Sequence, residues 1–161
     1  MYSVSKELLP ILKNKLLNIL SLCIFTTTLY GDIQPNSVNV TNVDVQGSDG
    51  IYRFYVTLRS DETGCNQYAN WWEVLDEDGN LLYRRILIHS HPTDQPFRRG
   101  GGSVKITPSQ TIYIRGHMNG SGYTGDLFKG SISKGFYKSS DRVKNSAQTE
   151  TSSPQPEGCL F

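Results

Sequence analysis

Catalytic signatures are missing from this sequence. No serine, histidine and acid are spaced as a nucleophilic triad, no carboxylate pair forms an acid–base motif, and no glycine-rich loop opens a helix. Gly100-Gly101-Gly102 precedes a strand-like run, so it reads as a flexible bend and not as a phosphate cradle. An excess of either charge is missing too: 16 Lys and Arg face 15 Asp and Glu, a formal net charge of +1. That balance gives no bulk electrostatic argument for nucleic acid or a lipid surface as partner. After residue 31 no long segment has helical periodicity, and no internal repeat is found, which argues against a helical bundle or a solenoid.

What is present favours strands. The chain has nine Tyr, six Phe and two Trp, with 15 Gly and seven Pro to supply turns. Val38 to Gln46 alternates, with Val38, Val40, Asn42 and Asp44 on one face and Thr41, Val43 and Val45 on the other. Ile51 to Ser60 is the clearest strand, burying Tyr52, Phe54, Val56 and Leu58. Asn70 to Arg99 reads as a hairpin running into a histidine-bearing loop. Its turn is Asp76 to Asn80, and its return strand is Leu81 to Ser90, expected to be a central strand near the sheet's end. Val104 to Ile106, Thr111 to Gly116 and Asp126 to Ser133 complete the set. About seven strands at spacings of about ten residues predict an all-β fold: a single seven-stranded antiparallel β-sandwich, immunoglobulin- or fibronectin-III-like. The expected core is Phe54, Val56, Leu58, one of Trp71 and Trp72, Val74, Ile86, Ile88, Ile112 and Ile114.

The ends differ from this middle. Lys6, Lys13 and Lys15 precede the apolar run Leu16 to Tyr30, the pattern of a signal peptide over residues 1–31. The run is short and threonine-rich for a membrane span; an uncleaved anchor is the alternative. A lipoprotein cleavage site is disfavoured because Leu22, not a small residue, precedes Cys23. Loss of this segment removes three lysines and one glutamate, taking the net charge from +1 to −1. The sandwich domain is expected over residues 32–137. Residues 138–161 are polar, poor in apolar side chains and expected to be a disordered tail. In an exported protein Cys65 and Cys159 could pair; both free is the other reading. The expected location is secreted or periplasmic.

The run from Tyr52 to Gly125 resembles an uncharacterised family of small secreted bacterial proteins. The family pattern is a "DTGWDHYAD" loop, a "W-x-V-x-x-x-DG" strand, an "HPHxxEQPFxR" loop and an "HDxxHGxxG" loop. Here those places hold Asp61 to Asn70, then Trp72 with Asp78-Gly79, then His89-Ser90-His91-Pro92 with Gln95-Pro96-Phe97-Arg98, then His117 with Gly122. The chain departs from the pattern where the loop Trp is Cys65, the loop His is Gln67, and the second His of the last motif is Gly120 or Ser121. The resemblance implies no activity.

His89 and His91 are two apart on an extended segment, so both imidazoles share a face. With His117 they are the candidate ligands for Zn²⁺ or Cu²⁺, and Asp61, Glu62, Cys65 and Asp94 lie in loops able to reach them. The alternative is surface histidines with no ion. Arg84-Arg85 and Arg98-Arg99 flank the same loop and suit carboxylate, though neighbours on a strand face opposite ways, so only one of each pair can share a patch. The blander expectation is that these arginines reach solvent, pair with Asp76, Glu77 or Asp78, or lie on tryptophan faces. Trp71, Trp72, Tyr68, Tyr113 and Tyr123 are the candidates for stacking on a sugar. The sequence therefore predicts an exported, non-catalytic binding protein with a divalent metal at His89, His91 and His117, or else a protein-interaction or surface-adhesion module without one. No nucleic acid is expected as partner, nor any membrane beyond the signal segment.

Overall fold

A computed structural model describes residues 35–160; the expected signal segment, Cys23 included, lies outside them. Among the described residues, eight strands form two antiparallel sheets. β1 (Val38–Ser48), β2 (Ile51–Ser60) and β5 (Phe97–Lys105) pair in the order β1-β2-β5. β3 (Ala69–Asp76), β4 (Leu81–Ile86), β6 (Ile112–Met118), β7 (Leu127–Ser131) and β8 (Gly135–Ser139) pair in the order β4-β3-β6-β7-β8. The two sheets make the antiparallel all-β sandwich that the sequence predicted, divided three and five. The count is eight where the sequence predicted seven. The additional strand, β8, forms a hairpin with β7 and sets the half-buried Phe136 edge-on to Phe54, at 6.0 Å between ring centroids. It has five residues and leaves Tyr137 exposed, too short an alternation to read in advance.

The core lies between the sheets. Phe54, Val56 and Leu58 of β2 meet Trp72, Val74, Ile112, Ile114 and Met118 from the five-stranded sheet. β1 shows how an irregularity rescues a pattern. The register slips between Val40 and Asn42, leaving Thr41 as an extra residue. This bulge brings Val38 and Val40, then Val43 and Val45, onto the core although they have opposite parity in the sequence.

Several expectations are corrected. β4 ends at Ile86 and is an edge strand, not a central one. Its inward face is also the other one from that expected: Tyr83 and Leu87 pack on the core, whereas Ile86 lies opposite Trp71 on the outer face and Ile88 is 43% exposed; the Leu87 amide bonds to Asn70 O and carries this alternation one residue past the strand. Gly100-Gly101-Gly102 is not a bend but part of β5. A Cβ on Gly101 would stand 2.7 Å from Trp72 Cη2 and 2.8 Å from Tyr83 Cε1, so glycine is what lets these rings lie against the strand. The Gly102 amide donates to the Tyr83 hydroxyl at 2.6 Å.

The described part of the expected tail, residues 138–160, is also not loose in this structure. The chain beyond β8 carries a short helix, α1 (Ser146–Thr151), and crosses the outer face of the five-stranded sheet. Cys159 is disulfide-bonded to Cys65, and the Leu160 amide donates to Ile88 O at 2.6 Å. The segment contributes few apolar side chains. It is held by polar partners on the sheet, and composition does not reveal those. No helix among the described residues is long and apolar enough to cross a membrane.

Candidate functional site

Strand alternation and register build the outer face of the five-stranded sheet in rows. Trp71 lies opposite Ile86 and His117, Glu73 opposite Arg84 and Arg115, and Leu75 opposite Leu81 and Tyr113. In the top row the His117 imidazole stacks on Trp71, at 3.6 Å between ring centroids. Its Nδ1 is 2.6 Å from Asn70 Oδ1 and its Nε2 is 3.2 Å from Glu150 Oε1. Burial lowers its pKa, opposed in part by Glu150.

The middle row is a buried charge cluster. Glu73 Oε2 accepts from Arg84 Nε at 2.9 Å and Nη2 at 2.7 Å, and its Oε1 accepts from Arg115 Nε at 2.8 Å. The Arg84 and Glu73 side chains are wholly enclosed. Arg84 also donates to Thr149 O, Ser152 O and Pro154 O at 2.6–3.1 Å. It lies 4.4 Å over Trp71, as one reading of the arginines expected, but pairs with Glu73 and not with the turn acids. Arg115 lies 3.4 Å from the Tyr123 ring centroid and donates to Ser146 Oγ at 2.7 Å. The C-terminal segment thus docks by supplying acceptors to two arginines that the sheet leaves half-neutralised.

The histidine loop stands apart from this row. His89 and His91 line one recess of about 170 Å³ with Arg85 and Arg99. His89 is exposed, its Nδ1 3.1 Å from Leu160 O. His91 is buried and stacks on Phe97 at 4.0 Å. Its Nε2 accepts from Arg99 Nη2 at 2.5 Å, so the neutral ring carries its proton on Nδ1. Burial and then Arg99 lower its pKa. Glu62 fixes the loop beneath, accepting from the His91 amide at 2.5 Å, Ser60 Oγ at 2.7 Å and Ser90 Oγ at 3.1 Å.

The sequence-derived ligand set is therefore not gathered at one point. His117 sits within β6 against Trp71, not in the loop expected for it, and Arg99 occupies the imidazole edge of His91 that a cation would need. Asp94 is exposed, Asp61 accepts the Asn36 and Ser37 amides, and Cys65 has no thiol to offer. Among the described residues no group of three or more His, Cys, Asp or Glu is arranged to hold a metal ion. Of the sugar-stacking candidates, Trp71, Trp72, Tyr68 and Tyr113 are buried and Tyr123 half-buried, so they offer no open platform.

Sequence reasoning missed Glu73 and Arg115 as partners. The signal was available: Trp71, Glu73 and Leu75 share one strand face, Tyr113, Arg115 and His117 another. Two such mixed apolar and oppositely charged faces on neighbouring strands mark a covered surface.

No protein-family model matches the chain, and no solved structure matches it. A protein of Halomicrobium mukohataei named "Putative lipoprotein" is 35% identical over 96 residues, covering 58% of this chain and 47% of that protein. The chain thus spans about half the length of the relative it matches.

Proposed function

We propose that the protein is an exported, non-catalytic binding module that takes an acidic segment of a partner protein at the recess lined by Arg85, Arg99, His89 and His91. One observation carries this reading: one arginine from each pair lines the recess with both histidines, and among the described residues no acidic side chain lines it. Two guanidinium groups at one concave point suit a carboxylate. Exposed Ile88 at the same place adds an apolar contact. Export, to the cell exterior or the periplasm, is supported by the signal-like segment, by the Cys65–Cys159 disulfide and by the name of the relative. A second reading is a Zn²⁺ or Cu²⁺ ion at His89 and His91, favoured by their sharing one recess.

The test is titration with a fluorescein-labelled oligoglutamate and, separately, with Zn²⁺ and Cu²⁺. Oligoglutamate is expected to bind in a salt-sensitive way, and Arg85→Ala/Arg99→Ala to weaken it by about tenfold or more, as for a lost charge-assisted pair. Equal binding by that variant, or none by the wild type at low salt, removes the acidic-partner reading. Stoichiometric metal uptake lost in His89→Ala/His91→Ala establishes the metal reading instead.

A further inference from the structure

Leu160 is fixed in place and yet not packed. Its amide donates to Ile88 O at 2.6 Å, and its carbonyl accepts from His89 Nδ1 at 3.1 Å. One residue earlier, Cys159 is bonded to Cys65. The Cys65 loop is itself tied down. The Gln67 amide donates to Gly64 O at 2.9 Å, the Thr63 amide to Gln67 O at 3.0 Å, and Asn119 Nδ2 to Cys65 O at 3.1 Å. All this order holds a leucine that is 57% exposed. Ordering a residue that buries so little apolar surface gains the fold little. Four large apolar residues are exposed among the described residues, and a backbone hydrogen bond joins two of them, Ile88 and Leu160. Single exposed apolar residues are ordinary, whereas two together beside a cationic recess form a patch. We propose that Leu160 is the apolar lip of the recess lined by Arg85, Arg99, His89 and His91, seated there by the Cys65–Cys159 disulfide, and that the site selects a partner segment of the form acid, any residue, apolar residue. This deepens the acidic-partner reading and rests on it.

Size and geometry select that form. The recess, about 170 Å³, is well below the roughly 300–1,000 Å³ of small-molecule pockets. It takes one acidic side chain, and the rest of the ligand must lie outside. Arg85 comes from β4 and Arg99 from β5, so the carboxylate is received between edge strands of the two sheets. His89 lines the recess and pairs with Leu160 in a single parallel bridge, so their side chains rise on the same side. A carbonyl only accepts, so His89 Nδ1 carries the proton of this bond and the ring is fixed beside Leu160. An extended peptide repeats its facing at every second residue, about 7 Å on. An acid held by the guanidinium groups therefore presents the next residue but one to the leucine. Two hydrogen bonds alone would hold so exposed a residue weakly, which leaves the disulfide as the bond that positions it.

The test is an NMR titration of the oxidised, isotope-labelled full chain with three peptides capped at both ends: Gly-Gly-Glu-Gly-Leu-Gly-Gly, the same with Ser for Leu, and the same with Gln for Glu. The first is expected to bind about fivefold to tenfold more tightly than either of the others. Leu160→Ser removes mostly exposed surface, so its melting temperature is expected to match wild type while the preference for leucine over serine disappears. Leu160→Met is expected to keep that preference, and Cys65→Ser/Cys159→Ser to lose it. The proposal is overturned if wild type binds the leucine and serine peptides equally, if Leu160→Ser or the cysteine variant keeps the preference, or if the glutamine peptide binds as tightly as the glutamate one. No binding by any of the three overturns it too, and oligoglutamate then tells whether the acidic-partner reading fails with it.

Discussion

At the scale of single residues, the Arg84–Glu73–Arg115 row is where an isolated change should cost most. Glu73 is fully buried and is the carboxylate between two buried guanidinium groups. Removing one partner of a buried ionic group leaves the other charges uncompensated, at about 3–5 kcal/mol. Glu73→Gln is therefore expected to lower the urea-derived stability by about that much, even though glutamine matches glutamate in size. A loss of under about 1 kcal/mol, the range of exposed pairs, would show that the row is solvated in solution. Arg98 with Asp44, roughly half exposed on both sides, is the contrasting pair. Strand parity placed Arg84 and Arg85 on opposite faces, but not which face was covered. Arg84 is wholly enclosed because three carbonyls from residues 149–154 reach it, and nothing local to Arg84 indicates them.

At the scale of elements, the C-terminal segment decides the most. It contributes a short helix with no side-chain cap at its N-terminus, too brief to be stable alone. Its order comes from outside. Thr149 Oγ1 donates to Gly79 O at 3.0 Å, Asn145 to Asp78 O at 2.9 Å, and Cys159 closes a loop to Cys65 across 94 residues. Loops of that length are expected to contribute about 2–5 kcal/mol when closed by a disulfide. Cys65→Ser/Cys159→Ser should lose that much, and limited proteolysis should then cut within residues 140–160 before it cuts the sheets. Equal stability and an equal cleavage pattern would mean that the polar contacts alone hold the segment. Polar composition suggested disorder here for a sound reason, since such segments cannot bury enough apolar surface to order themselves. It failed because a neighbour supplied buried arginines in need of acceptors.

At the scale of the whole molecule, two histidines couple folding to pH. His91 and His117 both have pKa values lowered by burial, His91 further by Arg99. Glu62 and Asp94 oppose the shift at His91, as Glu150 and Glu73 do at His117. A base whose folded pKa lies below its unfolded value binds fewer protons when folded. Its contribution is complete above the unfolded value of about 6.5 and is lost as the pH falls from there through the folded value. Denaturant midpoints measured from about pH 8 down to 5 are expected to be flat at first and then to drop, and His91→Asn with His117→Gln to flatten the drop. A midpoint that rises on acidification would contradict the burial of both rings.

Residue order by itself determined the strand-rich class, the inward face of β2, and the pairing of turns with hairpins, because alternation and turn chemistry are local. It also put His89 and His91 on one face and drew one arginine from each pair towards the same loop. Tertiary structure alone decided the rest: the bulge at Thr41 that unites two sets of valines, the eighth strand, the separation of His117 from the other histidines, and the covering of the outer sheet face. Each of these depends on register between strands distant in sequence or on a disulfide spanning 94 residues. Such long-range contacts leave no periodic mark on the chain that makes them.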